Sequence, residues 1–413
     1  MRDRATTLEK VLEITRELAR PLDLTPLLEK IVEAAIDILE AERGTVFLYD
    51  AAADVLTSRV ATGAPELRIP ANAGLAGECV RTRQIISVLD AHADPRFNPA
   101  VDKATGYRTR GILTIPLVGH DDVLVGVLQV LNKRSGAFDD NDVEVATALA
   151  ASCAVVIQRM HLLEDLVAKK KIEHELSVAR DIQIAILPKT MPELAEYDLA
   201  GWSRQADQTG GDIFDVIPQD GAVMLLLGDA TGHGIGPALS VTQVRAMLRI
   251  AVRLSAGLDD AFRHINDQLV DDLALNRFVT AFVGVLDTTS HCLTYHAGGQ
   301  GPILHFHAAR SDATLDGATM LPMGIMPTFQ LAEPRVTALA PGDIVAAITD
   351  GIYEYANPSG EMFGEQRVVA VVRKHAAESA AEILRHTVEA VEAFAEGAPQ
   401  NDDMTLLIVK RRA

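Results

Sequence analysis

Acidic residues stand again and again at the ends of apolar runs in the C-terminal half of this 413-residue chain, mostly beside glycine. "QTGGDIFDV" puts Asp212 after a glycine pair, and "LLLGDATGHG" puts Asp229 at the end of an apolar run. "VAAITDGIYE" repeats the arrangement with Asp350 and Gly351, and "PQNDDMTLLIV" places Asp402 and Asp403 just before another run. A lone Asp-Gly is an ordinary turn; the recurrence is hard to explain by turns alone. Hard divalent cations take carboxylate, carbonyl and water oxygens. Glycine lets the backbone approach closely and offer such a carbonyl. A glycine-rich turn after a strand also suggests a phosphate cradle, but that cradle wants Lys and backbone N–H groups rather than an acid. Asp229 therefore either holds a metal or reads a nucleotide base.

The length implies two or three domains. With 48% hydrophobic and 23% charged residues the composition is that of a soluble globular protein. A formal net charge of −19 argues against a nucleic-acid partner, which needs clustered Lys and Arg. Cys79, Cys153 and Cys292 show no CxxC spacing, so neither a zinc site nor a redox motif is indicated. Reduced, mostly buried thiols in a cytoplasmic protein are expected. The N-terminal "MRDRATTLEKVLEITRELAR" is charged, helical in pattern and lacks an apolar signal core. No segment is expected to reach the length of a membrane span. The most apolar window, "VATALAASCAVVIQ", is Ala-rich and reads as a buried packing helix.

The pattern divides the chain into an N-terminal helix (1–21), a mixed segment (22–158), a helical linker (159–188) and a strand-rich C-terminal domain (189–413). In the mixed segment, Asp23 or Thr25 would cap a helix starting at Pro26. "GTVFLYDAAADVLTSRVATG" reads as a hairpin, and "ILTIPLVGHDDVLVGVLQVLNK" as two strands joined by a polar turn. "DDNDVEVATALAASCAVVIQ" reads as a helix with acids at its N-terminus. The stretch "DPRFNPAVDKATGYRTRGILTIPLV" followed by "GVLQVLNKRSGAF" resembles a GAF domain of the phosphodiesterase and cyclase subclass. The signature of that subclass is matched by Asn132, Lys133, Phe138 and Asp142, with Val143 standing where the family has Glu. The resemblance implies an antiparallel sheet with flanking helices and a small-ligand pocket, a cyclic nucleotide being one candidate. A GAF fold used only for dimerisation, or for another ligand, is the alternative.

The linker "QRMHLLEDLVAKKKIEHELSVARDIQIAIL" contains neither Gly nor Pro, and its apolar residues fall at helical, partly heptad-like spacing. A parallel coiled coil joining two copies of the chain is expected from it. A single surface helix is the alternative, and Pro188 ends the pattern.

The C-terminal domain alternates blocks of strands, such as "AVMLLLGDA", "FVTAFVGVLD" and "DIVAAIT", with blocks of helix, so an α+β fold is expected. Its motifs "GGDIFD", "GDATGHG", "TDGIYE" and "NDDMT", in this order, resemble the PPM family of metal-dependent serine/threonine phosphatases, in its bacterial SpoIIE/RsbU branch. The whole chain is then α+β and multidomain: GAF domain, coiled-coil linker, and a phosphatase β-sandwich flanked by helices. The resemblance implies two divalent ions, Mn²⁺ or Mg²⁺, with Asp229 bridging them and the Ala230 carbonyl ligating one. Asp212, Asp350 and Asp402 would complete the ligand set, and Asp212 and Asp229 would be the catalytic acids. Gly351, Asp403 and Asp215 would be supporting or structural. Water activated by the ions would be the nucleophile, since metal lowers its pKa from 15.7 toward roughly 7. His233 follows Asp229 later than the family's catalytic His does, because Thr231 occupies that spacing; a loop-structuring role competes with general acid catalysis. The implied substrate is a phosphoserine or phosphothreonine on a STAS-type anti-sigma-factor antagonist.

Two other readings remain. "DATGHGIGPALS" also resembles the nucleotide turn of histidine-kinase-type ATPases, with Asn266 as a magnesium residue. That reading puts the Asn helix on the wrong side of the turn and leaves "TDGIYE" and "NDDMT" unexplained. An inactive scaffold would be expected to lack the acids, and all are present.

Overall fold

The computed structural model describes residues 24–63, 66–274, 276–327 and 331–413. The expected helix at 1–21 and the Asp23 cap lie outside the described residues. The chain divides into two compact units, residues 1–170 and 171–413.

The first unit runs α1 (Leu24–Ile38), β1 (Ala41–Asp50), β2 (Val55–Ala61), β3 (Arg68–Pro70), α2 (Gly74–Thr82), β4 (Ile86–Val88), α3 (Ala100–Thr105), β5 (Ile112–Val118) and β6 (Leu124–Lys133). It ends in the first part of α4 (Asp140–Ile186). The strands form one antiparallel sheet in the order β3-β2-β1-β6-β5-β4. One face carries Val46, Leu113, Ile115, Leu128 and Val130, and packs under α1 and α4. The other carries Phe47, Leu56, Ile112 and Val127, and packs against α2. Leu24 and Thr25 are already helical, so the helix does not start at Pro26.

α4 is 47 residues long, so the last helix of the first segment and the expected linker are one element. This corrects the expectation about membrane-length segments. By length and composition α4 is long and apolar enough to cross a membrane, with 44% of its apolar window buried in the protein. The buried part is a packing face: Ala146, Leu149, Ala150, Cys153, Ala154 and Ile157 are all in the core. Small residues there let the helix lie close to the sheet, and they also raise its hydropathy.

The second unit contains the end of α4, then β7 (Tyr197–Arg204), β8 (Asp212–Gln219), β9 (Ala222–Ala230), α5 (Ile235–Arg253), α6 (Leu258–Asp272), β10 (Val279–Asp287) and β11 (Cys292–Gly298). It continues through β12 (Ile303–His307), β13 (Asp312–Asp316), β14 (Arg335–Ala338), β15 (Ile344–Ile348), α7 (Asp350–Tyr353), α8 (Glu365–His375), α9 (Ala380–Ala395) and β16 (Met404–Arg411). Two five-stranded antiparallel sheets, β14-β11-β10-β9-β8 and β13-β12-β15-β16-β7, face each other.

Side-chain alternation sorts each strand's residues between two cores. Phe214, Val216, Leu225 and Leu227 of the first sheet meet Val345, Ala347, Leu407 and Val409 of the second in the inter-sheet core. Their neighbours Ile213, Ile217, Met224 and Leu226 face outward under α5 and α6. Ile344, Ala346, Leu406 and Ile408 face outward under α8 and α9. Four layers result, helices–sheet–sheet–helices. β8, β13, β14 and α8 were not anticipated from the sequence as separate elements.

Candidate functional site

The same alternation decides which acids meet. Asp212 and Asp229 share the parity of Phe214, Val216, Leu225 and Leu227, so both point between the sheets. They are directly opposed across the β8–β9 pair. Thr349 continues the inward set of β15, and Asp403 and Thr405 that of β16. The acid-bearing ends of both sheets therefore converge at one end of the sandwich.

Hydrogen bonds fix this end. Thr349 Oγ1 donates to Asp212 Oδ2 at 2.8 Å and accepts from the Thr405 amide at 2.8 Å. Asp403 Oδ1 accepts from the Ala206 amide at 2.7 Å, and Asp403 Oδ2 from the Asp212 amide at 3.3 Å. Asp402 is exposed, and its Oδ1 accepts from the Asp403 amide at 2.8 Å. Asp350 heads the short helix α7.

The glycines are there because the backbone is crowded. A Cβ on Gly211 would lie 2.7 Å from the Ala230 carbonyl oxygen and 3.5 Å from Asp229 Oδ1. A Cβ on Gly351 would run into the Asp403 carbonyl, and one on Gly210 into Asp403 Oδ2. The Ala230 carbonyl thus lies beside Asp229 at the same end.

Desolvation and mutual repulsion hold these acids far from their ordinary titration range. Burial, then Asp350, Asp402 and Asp403, pushes Asp229 up to about 7. Burial, then Asp229 and Asp403, raises Asp212 well above the usual carboxylate range. Asp350 and Asp403 are raised too, with burial first in both. Carboxylates gathered in low dielectric, with no ion pair to Lys or Arg among the described residues, are what bound divalent cations would relieve. The donor set is oxygen throughout, which fits Mg²⁺ or Mn²⁺.

Three other sequence-derived residues lie elsewhere. Asp215 has the opposite parity to Asp212 and is fully buried under α5, where Arg245 Nε reaches its Oδ2 at 2.9 Å and Arg249 Nε at 2.6 Å. It ties β8 to α5, which is the structural role. His233 is on the exposed loop after β9, with Nδ1 3.7 Å from Asp207 Oδ2 and its side chain 92% exposed. Asn266 is buried, its Oδ1 accepting from the Gly324 amide at 3.0 Å and its Nδ2 donating to the Met326 carbonyl at 3.1 Å. Those bonds occupy it structurally, against the ATPase reading.

Two further residues went unnoticed in the sequence. Gln183, near the end of α4, is buried and clamps Gly210: its Nε2 donates to the Gly210 carbonyl at 2.6 Å, and its Oε1 accepts the Gly210 amide at 3.1 Å. Arg277 lies with its guanidinium against Gly236, in the first turn of α5 beyond the Asp229 loop. The Thr231–Phe278 backbone bond of 3.1 Å holds these loops together. Gln183 lies in the stretch "HELSVARDIQIAILP", which resembles the helix preceding such a phosphatase domain, but nothing local marks it as a clamp, and Arg277 belongs to no motif.

In the first unit, Asn132 has φ +56°, and its Oδ1 accepts from the amides of Arg110 (2.7 Å) and Gly111 (3.2 Å). Its Nδ2 donates to Glu42, Tyr107 and Arg108. Lys133 pairs with Asp142, and Phe138 packs on the core. All four signature residues are structural in their contacts. A cavity of about 130 Å³ opens on the other face of the sheet, lined by Arg43, Thr45, Phe97, Asp102, Thr109 and Gln129 among others. The signature residues are not among those lining it.

Residues 23–157 match the family model of the GAF domain, and residues 219–412 that of Stage II sporulation protein E (SpoIIE). The chain carries a GAF domain and a SpoIIE domain. The cGMP-specific 3',5'-cyclic phosphodiesterase of Drosophila melanogaster is 31% identical over 193 residues, covering 42% of this chain and 17% of that protein. The Drosophila sechellia protein of the same name is 32% identical, covering 42% and 16%. The chain therefore spans about a sixth of the length of these relatives. Among solved structures, the SiaA-PP2C domain of Pseudomonas aeruginosa aligns with TM-score 0.52 and 23% identity, over 60% of this chain and 99% of that one. The RsbU and RsbW domains of a Mycobacterium tuberculosis protein align with TM-score 0.48 and 26% identity, over 55% and 63%. The SiaA likeness establishes a PP2C-type fold. The acids of the β8–β9 pair and of the β15 and β16 ends occupy one end of that fold, with Asp212 just before the residues that match the SpoIIE model.

Proposed function

We propose that this protein is a metal-dependent phosphoserine/phosphothreonine protein phosphatase, with Asp212, Asp229, the Ala230 carbonyl, Asp350 and Asp402 holding two Mn²⁺ or Mg²⁺ ions. The convergence of five carboxylates at one end of a PP2C-type sandwich, where burial and neighbouring carboxylates raise Asp212, Asp229, Asp350 and Asp403, carries the reading. Bound there, the ions would supply a low-pKa water for attack on phosphorus and offset phosphoryl charge. The chain's own residues do the positioning. Thr349 orients Asp212, the Ala206 and Asp212 amides orient Asp403, and Gly211 and Gly351 let the two sheets close on the site. Arg277 offers a cation to an incoming phosphoryl group at the rim.

The substrate is a phosphorylated signalling protein, of which a STAS-type anti-sigma-factor antagonist is the favoured kind, in keeping with the SpoIIE family. The GAF cavity takes a small regulatory ligand, a cyclic nucleotide being the candidate that the likeness to cGMP-specific phosphodiesterases supports. Exposed Leu162, Leu166, Val167, Ile172, Val178 and Ile182 on α4 supply an apolar surface for a second copy of the chain. The domain limits we propose are 22–158 for the sensor, 159–188 for the linker and 189–413 for the phosphatase.

Phosphate release from a phosphoserine peptide, measured in EDTA, Mg²⁺ and Mn²⁺, tests the reading. Activity that needs metal and disappears in Asp229→Asn supports it. Absence of metal binding by calorimetry would sink it.

A further inference from the structure

β12 carries two histidines in the run "ILHFH". Strand alternation puts His305 and His307 on one face, while Leu304 and Phe306 fill the core on the other. Asp343 precedes β15, which pairs with β12, and its carboxylate is directed at His305. The ligand atoms of His305, His307 and Asp343 all lie within 4.8 Å of one another.

We propose that His305, His307 and Asp343 bind a borderline divalent transition-metal ion of the Zn²⁺/Co²⁺ class, at a site separate from the carboxylate cluster. His305 Nε2 is 3.4 Å from Asp343 Oδ2. An N–H···O bond rarely exceeds about 3.2 Å, so the pair is poorly served by a hydrogen bond alone. Ligands at about 2.0–2.1 Å from a tetrahedral ion are separated by about 3.3–3.4 Å, which is the spacing seen. The ring centroids of His305 and His307 are 3.9 Å apart, so two protonated rings would repel strongly.

Asp343 is 4% exposed and already fixed. Its Oδ1 accepts from the Ala308 amide at 2.8 Å and its Oδ2 from the Ala340 amide at 3.0 Å. A structural His–Asp contact would not require the second imidazole. Partly buried His307, with Nε2 3.5 Å from Thr314 Oγ1, gives the ion a path from solvent.

A second cluster lacks this geometry. His375 Nδ1 is 3.0 Å from one Glu378 oxygen and His386 Nε2 is 3.1 Å from the other. Arg385 also lies 3.1 Å from His386 Nε2. Ordinary hydrogen bonds and ion pairs account for that group.

The proposed site lies at the start of β15, and Asp350 lies just past its end. The five residues of β15 and Thr349 stand between Asp343 and Asp350, a span of roughly 20 Å. An ion bound to His305, His307 and Asp343 would brace β12 to β15 far from the carboxylates.

The test uses the full chain, stripped with chelator and then saturated with Mg²⁺, which prefers the oxygen ligands. Co²⁺ is titrated, with visible d–d absorption and equilibrium dialysis as readouts. The expected result is a bound Co²⁺ with an intense tetrahedral-type spectrum. His307→Ala should weaken it by at least about tenfold. This ring is outside the hydrophobic core clusters, so its loss spares the core, and a melting curve verifies the fold. Asp229→Asn should retain the spectrum, which separates this inference from the phosphatase reading. No Co²⁺ bound in the presence of Mg²⁺, or identical binding by His307→Ala, would overturn the proposal.

Discussion

Gln183 near the C-terminal end of α4 grips both backbone polar groups of Gly210, two residues before Asp212, at 2.6 and 3.1 Å. Gln205 Nε2 supports the same Gln183 oxygen at 2.6 Å. The long helix is therefore tied to the peptide that places the first acid of the site. Gln183→Ala should leave buried Gly210 groups unpaired, costing about 1–3 kcal/mol. Phosphatase turnover should fall about 10- to 100-fold as Asp212 loses its support. Turnover and metal affinity measured on the folded variant check this; an unchanged kcat would mean that α4 does not position the site.

The crowding at Gly351 is a prediction about backbone, not side chain. Gly351→Ala drives a methyl into the Asp403 carbonyl and should cost about 3 kcal/mol, with loss of activity. Gly317→Ala is the control, because open space surrounds that position. Thermal melts of the two variants should differ sharply.

Asp215 and Asp212 lie three residues apart on one strand and face different layers. Asp215→Asn leaves Arg245 and Arg249 against a neutral partner and should destabilise the domain by about 3–5 kcal/mol. Metal affinity of the folded protein should stay unchanged. A calorimetric loss of metal binding at preserved fold would place Asp215 in the site after all.

Metal-free stability should fall as pH rises. Asp229 titrates at about 7 in the folded chain, against about 3.9 unfolded, and Asp212, Asp350 and Asp403 are shifted in the same direction. Between those values the folded state holds protons that the unfolded chain has released, so the unfolded chain gains on ionising. In EDTA the melting temperature should decline from about pH 4 to about pH 7 through this linkage. Mn²⁺ or Mg²⁺ should restore it most at the upper end, because cations bind the ionised carboxylates. A profile indifferent to metal at every pH would contradict the assigned site.

Arg277 predicts a split between kinetic constants. Arg277→Ala should raise KM for a phosphopeptide about tenfold, with a smaller effect on metal affinity, if as proposed the residue meets the phosphoryl group and not the ions. Equal loss of metal binding would instead make it part of the loop scaffold.

The sequence by itself determined the domain order, the strand-rich second unit and the identity of the acids that gather. Asp229, Asp350 and Asp402/Asp403 stand at strand ends beside apolar runs, so their location follows from local pattern alone. The alternation of Phe214, Val216, Leu225 and Leu227 even contains the fact that Asp212 and Asp229 face inward. Tertiary structure decided what depends on register and packing between distant segments. The resemblance already set Asp215 apart from Asp212, but its partners came only with the fold, where α5 brings Arg245 and Arg249 over it. Gln183 and Gly210 are 27 residues apart and share no motif; a buried amide finds its partner only when the helix docks. The GAF signature was legible, yet its residues turned out to brace loops while the cavity formed from side chains of other strands. Local pattern fixes where a charge sits on its strand, but only folding fixes what stands opposite it.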